Sequence, residues 1–219
     1  SGLQSGRDSQ GMFETHPQVG GGVLNFDGAG NYVKIPIGKN ISDQINTGIF
    51  TFDFWVKHDK DENTTMSSET YFCLRDIGTA GNRFKFRKVY SSGADTTTLN
   101  FTVEGGTGVD YSSATRDDID EGEWHYIAIV STNLSSRQIH HAKTGATSLT
   151  SETANTTTYN NTNLWDEMQL GQKQEGGGAL GLEMMTGKID EFRMYSRALT
   201  AAELLINYKN GLAKHKLRS

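Results

Sequence analysis

From residue 23 onward the apolar positions recur at every second residue, the period of an extended strand with one buried face. Ile49 to Lys57 (IFTFDFWVK) is the clearest case. Phe50, Phe52, Phe54 and Val56 fall on one face, and Thr51, Asp53 and Trp55 on the other. Val23-Leu24-Asn25-Phe26 reads as a short strand, Asp27-Gly28-Ala29-Gly30-Asn31 as a turn, and Tyr32 to Pro36 as the return strand. Further strands are predicted at Thr70 to Ile77, Arg83 to Tyr90, Thr98 to Glu104, Trp124 to Ser131, Gln138 to Lys143, Glu167 to Gly171 and Gly187 to Tyr195. Strands at this spacing, with Gly, Asn and Asp between them, specify an antiparallel sandwich rather than βαβ units. Phe50, Phe52, Phe54, Val56, Leu99, Phe101, Val103, Phe192 and Met194 are its expected inter-sheet core.

One helix interrupts the pattern. Thr200-Ala201-Ala202-Glu203 is a capping box, in which the Thr200 hydroxyl accepts from a first-turn N–H and Glu203 reaches back. Leu204, Leu205 and Tyr208 supply an apolar stripe, and Asn210-Gly211 reads as a left-handed stop. The expected organisation is an N-terminal arm at 1–19, one domain at 20–211 and a tail at 212–219. The arm is polar and aperiodic, so it either folds back on its own domain or is held by a neighbouring subunit. The first residue is Ser1 and no secretory signal segment is visible, which reads as a piece processed from a longer product.

Charge and composition narrow the function. Among 219 residues, 21 Lys plus Arg face 26 Asp plus Glu, a formal net charge of −5. That balance argues against nucleic acid, whose phosphates require a basic face. The apolar runs are too short for a transmembrane helix, so no membrane insertion is expected. Cys73 is the one cysteine, which leaves stability to the core rather than to a disulfide. Asn-x-Ser/Thr triplets at Asn40, Asn63, Asn100, Asn133, Asn155 and Asn160 are more numerous than composition explains and suit a surface protein.

Four segments, in order, carry a family resemblance: LNFDGAGNYVKIP (24–36), FTFDFWVKHD (50–59), EGEWHYIAIVS (121–131) and MTGKIDEFRMYSRALTAAELLINYKNG (185–211). Together they resemble the laminin-G-like, concanavalin A-like jelly-roll domains of bacterial, archaeal and viral surface proteins. The last segment is the most specific, with Ile-Asp-Glu-Phe-Arg-Met-Tyr followed by Arg-Ala-Leu-Thr and a short helix. The resemblance implies an all-β, two-sheet antiparallel jelly roll with one short C-terminal helix. The stretch Gln138 to Gly145 departs from the family's usual hairpin sequence.

By simple alternation Asp190 shares a face with Phe192 and Met194, at the mouth of the core, where an ionised carboxylate needs a partner. The resemblance implies a structural Ca²⁺ there, held by Asp190, Asp27 and the carbonyl of Gly28, with other oxygens completing its shell. The alternative is that Asp190 accepts backbone N–H groups or pairs with a basic side chain. On the second face, Asp53, Trp55, Glu191, Arg193 and Tyr195 suit sugar binding, with Trp55 and Tyr195 as candidate ligand contacts. The competing reading pairs Arg193 with Asp53 or Glu191 and packs the rings under loops or the helix.

No catalytic apparatus is expected. Glucan hydrolysis needs carboxylates alternating along one strand. The nearest run, Asp118-Ile119-Asp120-Glu121-Gly122-Glu123, reads as a solvated turn. Gly105-Gly106-Thr107-Gly108 and Gly176-Gly177-Gly178 read as loop glycines rather than phosphate cradles. His140 and His141 point to opposite faces and do not chelate one ion together, and His125 reads as packing. Two functions remain. One is a non-catalytic lectin-like module that binds a glycan or surface polymer, and the other a structural or decoration subunit that packs against neighbouring proteins. Either places the chain outside the cell or on a cell or virion surface.

Overall fold

A computed structural model describes residues 13–15, 22–59, 68–79, 82–91, 96–104, 109–112, 119, 122–159, 164–173 and 183–216. Its strands are β1 (Phe13–Thr15), β2 (Gly22–Asp27), β3 (Val33–Pro36), β4 (Phe50–His58), β5 (Ser68–Arg75), β6 (Arg83–Ser91), β7 (Thr96–Glu104), β8 (Val109–Ser112), β9 (Trp124–Asn133), β10 (Ser136–Lys143), β11 (Thr150–Ser151), β12 (Glu167–Leu170) and β13 (Thr186–Tyr195). Among the described residues there are two helices, α1 (Lys39–Asn46) and α2 (Ala201–Lys216). One sheet runs β1-β2-β13-β4-β9-β10-β11 and the other β3-β12-β5-β6-β7-β8. Adjacent strands are antiparallel throughout, and the two sheets form a jelly-roll sandwich.

The alternation read from the sequence builds the space between the sheets. Phe50, Phe52, Phe54, Val56, Leu99, Phe101 and Val103 are buried in one cluster, with Phe192 and Met194 packed half-buried against it. Each large apolar side chain buried there contributes roughly 1.5–3 kcal/mol. Phe52 sits among Phe50, Phe72, Phe84 and Phe192, with ring centroids 4.6–6.0 Å away.

Four expectations are corrected. The strands flanking the Asp27 turn do not form a hairpin: β2 pairs with β1 and β13, whereas β3 pairs with β12 in the other sheet. The turn therefore crosses the sandwich. The helix does not stop at Asn210-Gly211 but runs to Lys216, because Gly211 serves a close approach rather than a cap. Helix α1 was not foreseen, since its eight residues bury one apolar side chain, Ile45, which is too little periodicity to read.

The fourth correction concerns Asp190. Trp55 pairs with Asp190 and Asp53 with Arg193, so three steps along β13 match two along β4. This is a β-bulge, and Glu191 adopts the left-handed backbone it requires, with φ 52°. The extra residue resets the alternation. Ile189 and Phe192 face the core, while Asp190 turns to the outer face with Trp55 and Arg193.

The described part of the arm, β1, pairs with β2 of its own domain, Phe13 opposite Leu24. The remaining arm positions, the loop glycines at 105–108 and 176–178, Asp118, Asp120, Glu121, Asn63, Asn160 and the last three residues of the tail lie outside the described residues. Ile119, within the acidic run, is buried in the core.

Candidate functional site

The two sheets present two outer faces, and they differ in what lies on them. On the seven-stranded sheet the face carries Asp53, Trp55, Tyr126, Arg193 and Tyr195, and α2 lies across it. The capping box starts this helix as expected: Thr200 N–H donates to Glu203 Oε2 at 2.8 Å and Glu203 N–H to Thr200 Oγ1 at 3.3 Å. Leu204 and Tyr208 then turn inward, onto Trp55, Tyr126 and Trp124. Asp53, fully buried, accepts from Arg193 Nε at 2.7 Å, Tyr126 OH at 2.6 Å and Asn207 Nδ2 at 2.8 Å. Burial, joined by the Asp53 charge, pushes the Tyr126 phenol far above its ordinary range, so it serves as a donor.

Trp55 and Tyr195 are therefore corrected as ligand contacts. Trp55 has no exposed surface and stacks on Tyr208 at 5.4 Å, and Tyr195 accepts from Asn207 Nδ2 at 3.0 Å. A covered sheet face holds its aromatics for packing, which is the competing reading made from the sequence.

The expected Ca²⁺ ligands are not brought together. Asp27 lies opposite Thr186, and Asp190 is four residues further along β13, roughly 13 Å at strand spacing. Asp27 Oδ1 instead accepts the N–H of Ala29 at 2.8 Å, within its own turn. Asp190 pairs with Lys214 Nζ at 3.0 Å beneath α2, which is the basic-partner alternative. Among the described residues, Asp190, Glu191 and His215 place donor atoms within 4.8 Å of one another, a carboxylate and imidazole set of metal-ligand type. The Lys214 ammonium, 3.0 Å from Asp190 and 3.1 Å from Glu191, already supplies positive charge there.

The outer face of the six-stranded sheet is different: no described helix lies on it. Its side chains form three rungs. Glu167, Arg75, Arg83 and Glu104 are paired across β12, β5, β6 and β7. The next rung is Lys34, Gln169, Cys73, Lys85 and Thr102, and the third is Thr70, Arg87 and Asn100. Arg83, Lys85 and Arg87 alternate along β6 with the core residues Phe84 and Phe86. Glu104 accepts from Arg83 Nη1 at 2.9 Å and lies 2.6 Å from Lys85 Nζ. Arg87 Nε donates to Asn100 Oδ1 at 3.0 Å. Burial disfavours the Glu104 charge, but Lys85 and Arg83 outweigh it and hold the carboxyl below its ordinary range. Burial pushes the Cys73 thiol up to about 12, so it stays protonated and is no nucleophile.

A further polar cluster closes one end of the inter-sheet space. Glu69 Oε2 lies 2.9 Å from His58 Nδ1 and 3.3 Å from Lys88 Nζ, and Glu69 Oε1 accepts the N–H of Thr186 at 2.7 Å. His58 Nε2 is 3.3 Å from Tyr71 OH. Burial and the Lys88 charge hold the His58 pKa below its ordinary value, against the opposing pull of Glu69. His141 pairs with Glu152 at 2.9 Å and His140 with Ser151 at 2.8 Å, so the neighbouring histidines have separate partners. Asn100, a predicted glycosylation acceptor, is buried within the charged rungs.

The seven-stranded face is thus covered by α2, and on the six-stranded face most of the polar side chains, Thr70, Lys85, Asn100 and Gln169 among them, are themselves buried. The family model described as the concanavalin A-like lectin/glucanases superfamily matches residues 27–205, and the chain belongs to that family. No curated protein matches the sequence. Among solved structures, the Ruminococcus gnavus IT-sialidase CBM40 aligns with a TM-score of 0.60 and 10% identity, over 84% of this chain and 95% of that one. The same module bound to α2,3 sialyllactose aligns with a TM-score of 0.57 and 10% identity, over the same shares. The heptameric SAP-like pentraxin of Limulus polyphemus gives a TM-score of 0.52 and 14% identity, over 83% and 78%. At these identities the likeness is one of fold.

The charged face was written in RFKFR (83–87), where alternating cations flank core phenylalanines, but on its own that pattern reads only as a strand. Its partners on β5, β7 and β12 become visible only through the strand register.

Proposed function

We infer that this domain is a non-catalytic glycan-binding module of a cell or virion surface, and that it binds sugar on the outer face of the six-stranded sheet. One observation carries the reading: α2 occupies the outer face of the seven-stranded sheet, whereas on the six-stranded sheet Arg87 and Glu104 keep part of their side chains exposed beside a buried polar network. The exposed parts of Arg87 and Glu104 offer a charged donor and acceptor of the kind that sugar hydroxyls and acid groups pair with. None of the side chains in the three rungs is aromatic, which favours hydrogen-bond and charge recognition over ring stacking. The fold likeness to a module seen with sialyllactose supports the same class of ligand. The test is a glycan array followed by calorimetry on the purified chain. Binding to a subset of glycans is expected, lost in Arg87→Ala and Glu104→Gln while both variants still melt cooperatively. Binding that survives both changes would move the site elsewhere.

A second reading, a packing subunit of an assembly, rests on a different observation. Exposed Ile41, Ile77 and Leu164 belong to segments joined to one another, through Trp165 N–H to Ser42 Oγ at 2.8 Å and Ile77 N–H to Asp166 Oδ2 at 2.9 Å. An apolar patch of this kind suits a protein neighbour. Size-exclusion chromatography with light scattering separates the two: a monomer argues for the binding module, and an oligomer abolished by Leu164→Ser argues for the packing subunit.

A further inference from the structure

Glu183 lies three residues before β13, yet its carboxylate reaches the charged face of the opposite sheet. Its Oε1 lies 2.7 Å from Arg87 Nη1, 3.3 Å from Lys173 Nζ and 3.7 Å from Lys85 Nζ. Its Oε2 accepts the Thr70 hydroxyl at 2.9 Å, and its backbone carbonyl accepts the Thr70 N–H at 2.9 Å. The four groups that hold the carboxylate come from β5, β6 and the segment after β12. The carboxylate itself comes from a residue outside both sheets, at φ 54°, a backbone region that residues other than glycine rarely adopt. Such strain is maintained where the surroundings over-determine it, and it collects at ligand sites.

The geometry points to a carboxylate-recognition subsite built by Arg87, Lys85, Lys173 and Thr70, in which Glu183 is an internal occupant that a ligand carboxylate displaces. The subsite would take the acid group of an acidic sugar, and that identity of the ligand rests on the glycan-binding reading above. A guanidinium, two ammonium groups and a hydroxyl converging on one point match a planar carboxylate, which Arg holds with directional N–H groups. Burial opposes the Glu183 charge, but Lys85, Arg87, Thr70 and Lys173 keep its carboxyl below the ordinary range, so the occupant is an anion. A neutral sugar that displaced Glu183 would take from Arg87 its carboxylate partner, while Lys85 keeps Glu104 at 2.6 Å, whereas an acidic one replaces the lost charge. The internal carboxylate thus selects for acid-bearing ligands by making the exchange charge-neutral.

The experiment empties the cradle. Glu183→Gly removes the carboxylate and suits the left-handed backbone. Melting temperatures of wild type and variant are compared in sodium acetate and in sodium chloride at equal ionic strength. Acetate is expected to raise the variant's melting temperature above its value in chloride and to leave wild type unchanged, because the anion binds only the folded, vacated cradle. Calorimetry with 3′-sialyllactose and with lactose follows. Sialyllactose should bind the variant at least about tenfold more tightly than wild type, with lactose unaffected. Glu183→Asn, which tolerates the left-handed backbone and withdraws both the charge and the reach of the side chain, is read in the same way should the glycine variant not fold. If acetate and chloride act alike on both variants, Glu183 is a structural strut and the subsite does not exist. If acetate rescues but neither sugar binds any form, the subsite stands and the glycan-binding reading falls.

Discussion

A Cβ placed on Gly211 would lie 2.2 Å from Trp55 Nε1, so α2 rests on the sheet through a contact that only glycine permits. The residue that reads as a helix terminator in the sequence is instead the point of closest approach between helix and sheet. It allows α2 to seal Trp55, Tyr126 and Trp124.

Gly211→Ala tests that contact. In a helix interior Ala is favoured over Gly by about 1 kcal/mol. Overpacking against a fixed indole costs about 1–3 kcal/mol. A net loss of stability is expected in urea melts, whereas the exposed neighbour Asn210→Ala should be neutral or stabilising.

Asp53 joins β4, β9, β13 and α2 through Tyr126, Arg193 and Asn207. Asp53→Ala removes the carboxylate and leaves three donors facing a vacancy. A loss of about 3–5 kcal/mol in denaturant unfolding is expected, as for other buried charge pairs broken on one side. Tyr126→Phe, which removes one donor, should cost about 1.5–3 kcal/mol.

Phe52→Ala should cost about 3–5 kcal/mol, since the ring is fully buried among four other aromatics. A loss under about 1 kcal/mol would mean the cluster collapses into the vacated space.

Stability should fall on acidification in two stages. His58 is held neutral in the fold, below its ordinary pKa of 6.5, by burial and Lys88, with Glu69 and Asp59 opposing. The unfolded chain takes up the proton first, so stability declines as pH drops below 6.5 and the loss is complete below the folded pKa. His140, also lowered by burial and by His141, adds to the same limb. Glu104 and Glu183 sit below their ordinary 4.5, so their contribution is present above that pH and is lost as pH falls through their folded values. Unfolding free energies between pH 8 and pH 3 check both limbs, and His58→Gln should flatten the upper one.

The period-two pattern was enough to determine the sandwich, because each strand shows its buried face in its own alternation. Phe50, Phe52, Phe54 and Val56 announce the core without reference to any other strand. The capping box at Thr200 and Glu203 was likewise legible, since both partners lie within one turn. Tertiary structure alone decided three things. The bulge at Glu191 reverses the face of Asp190, and an inserted residue leaves no trace in a hydrophobic pattern whose two flanks both look regular. The meaning of Gly211 depends on Trp55, more than 150 positions earlier in the chain. The charged face depends on register: Arg87, Thr70, Asn100 and Glu183 are scattered through the sequence, and only the pairing of β5, β6 and β7, with Glu183 from three residues before β13 set against them, brings their polar groups to one place.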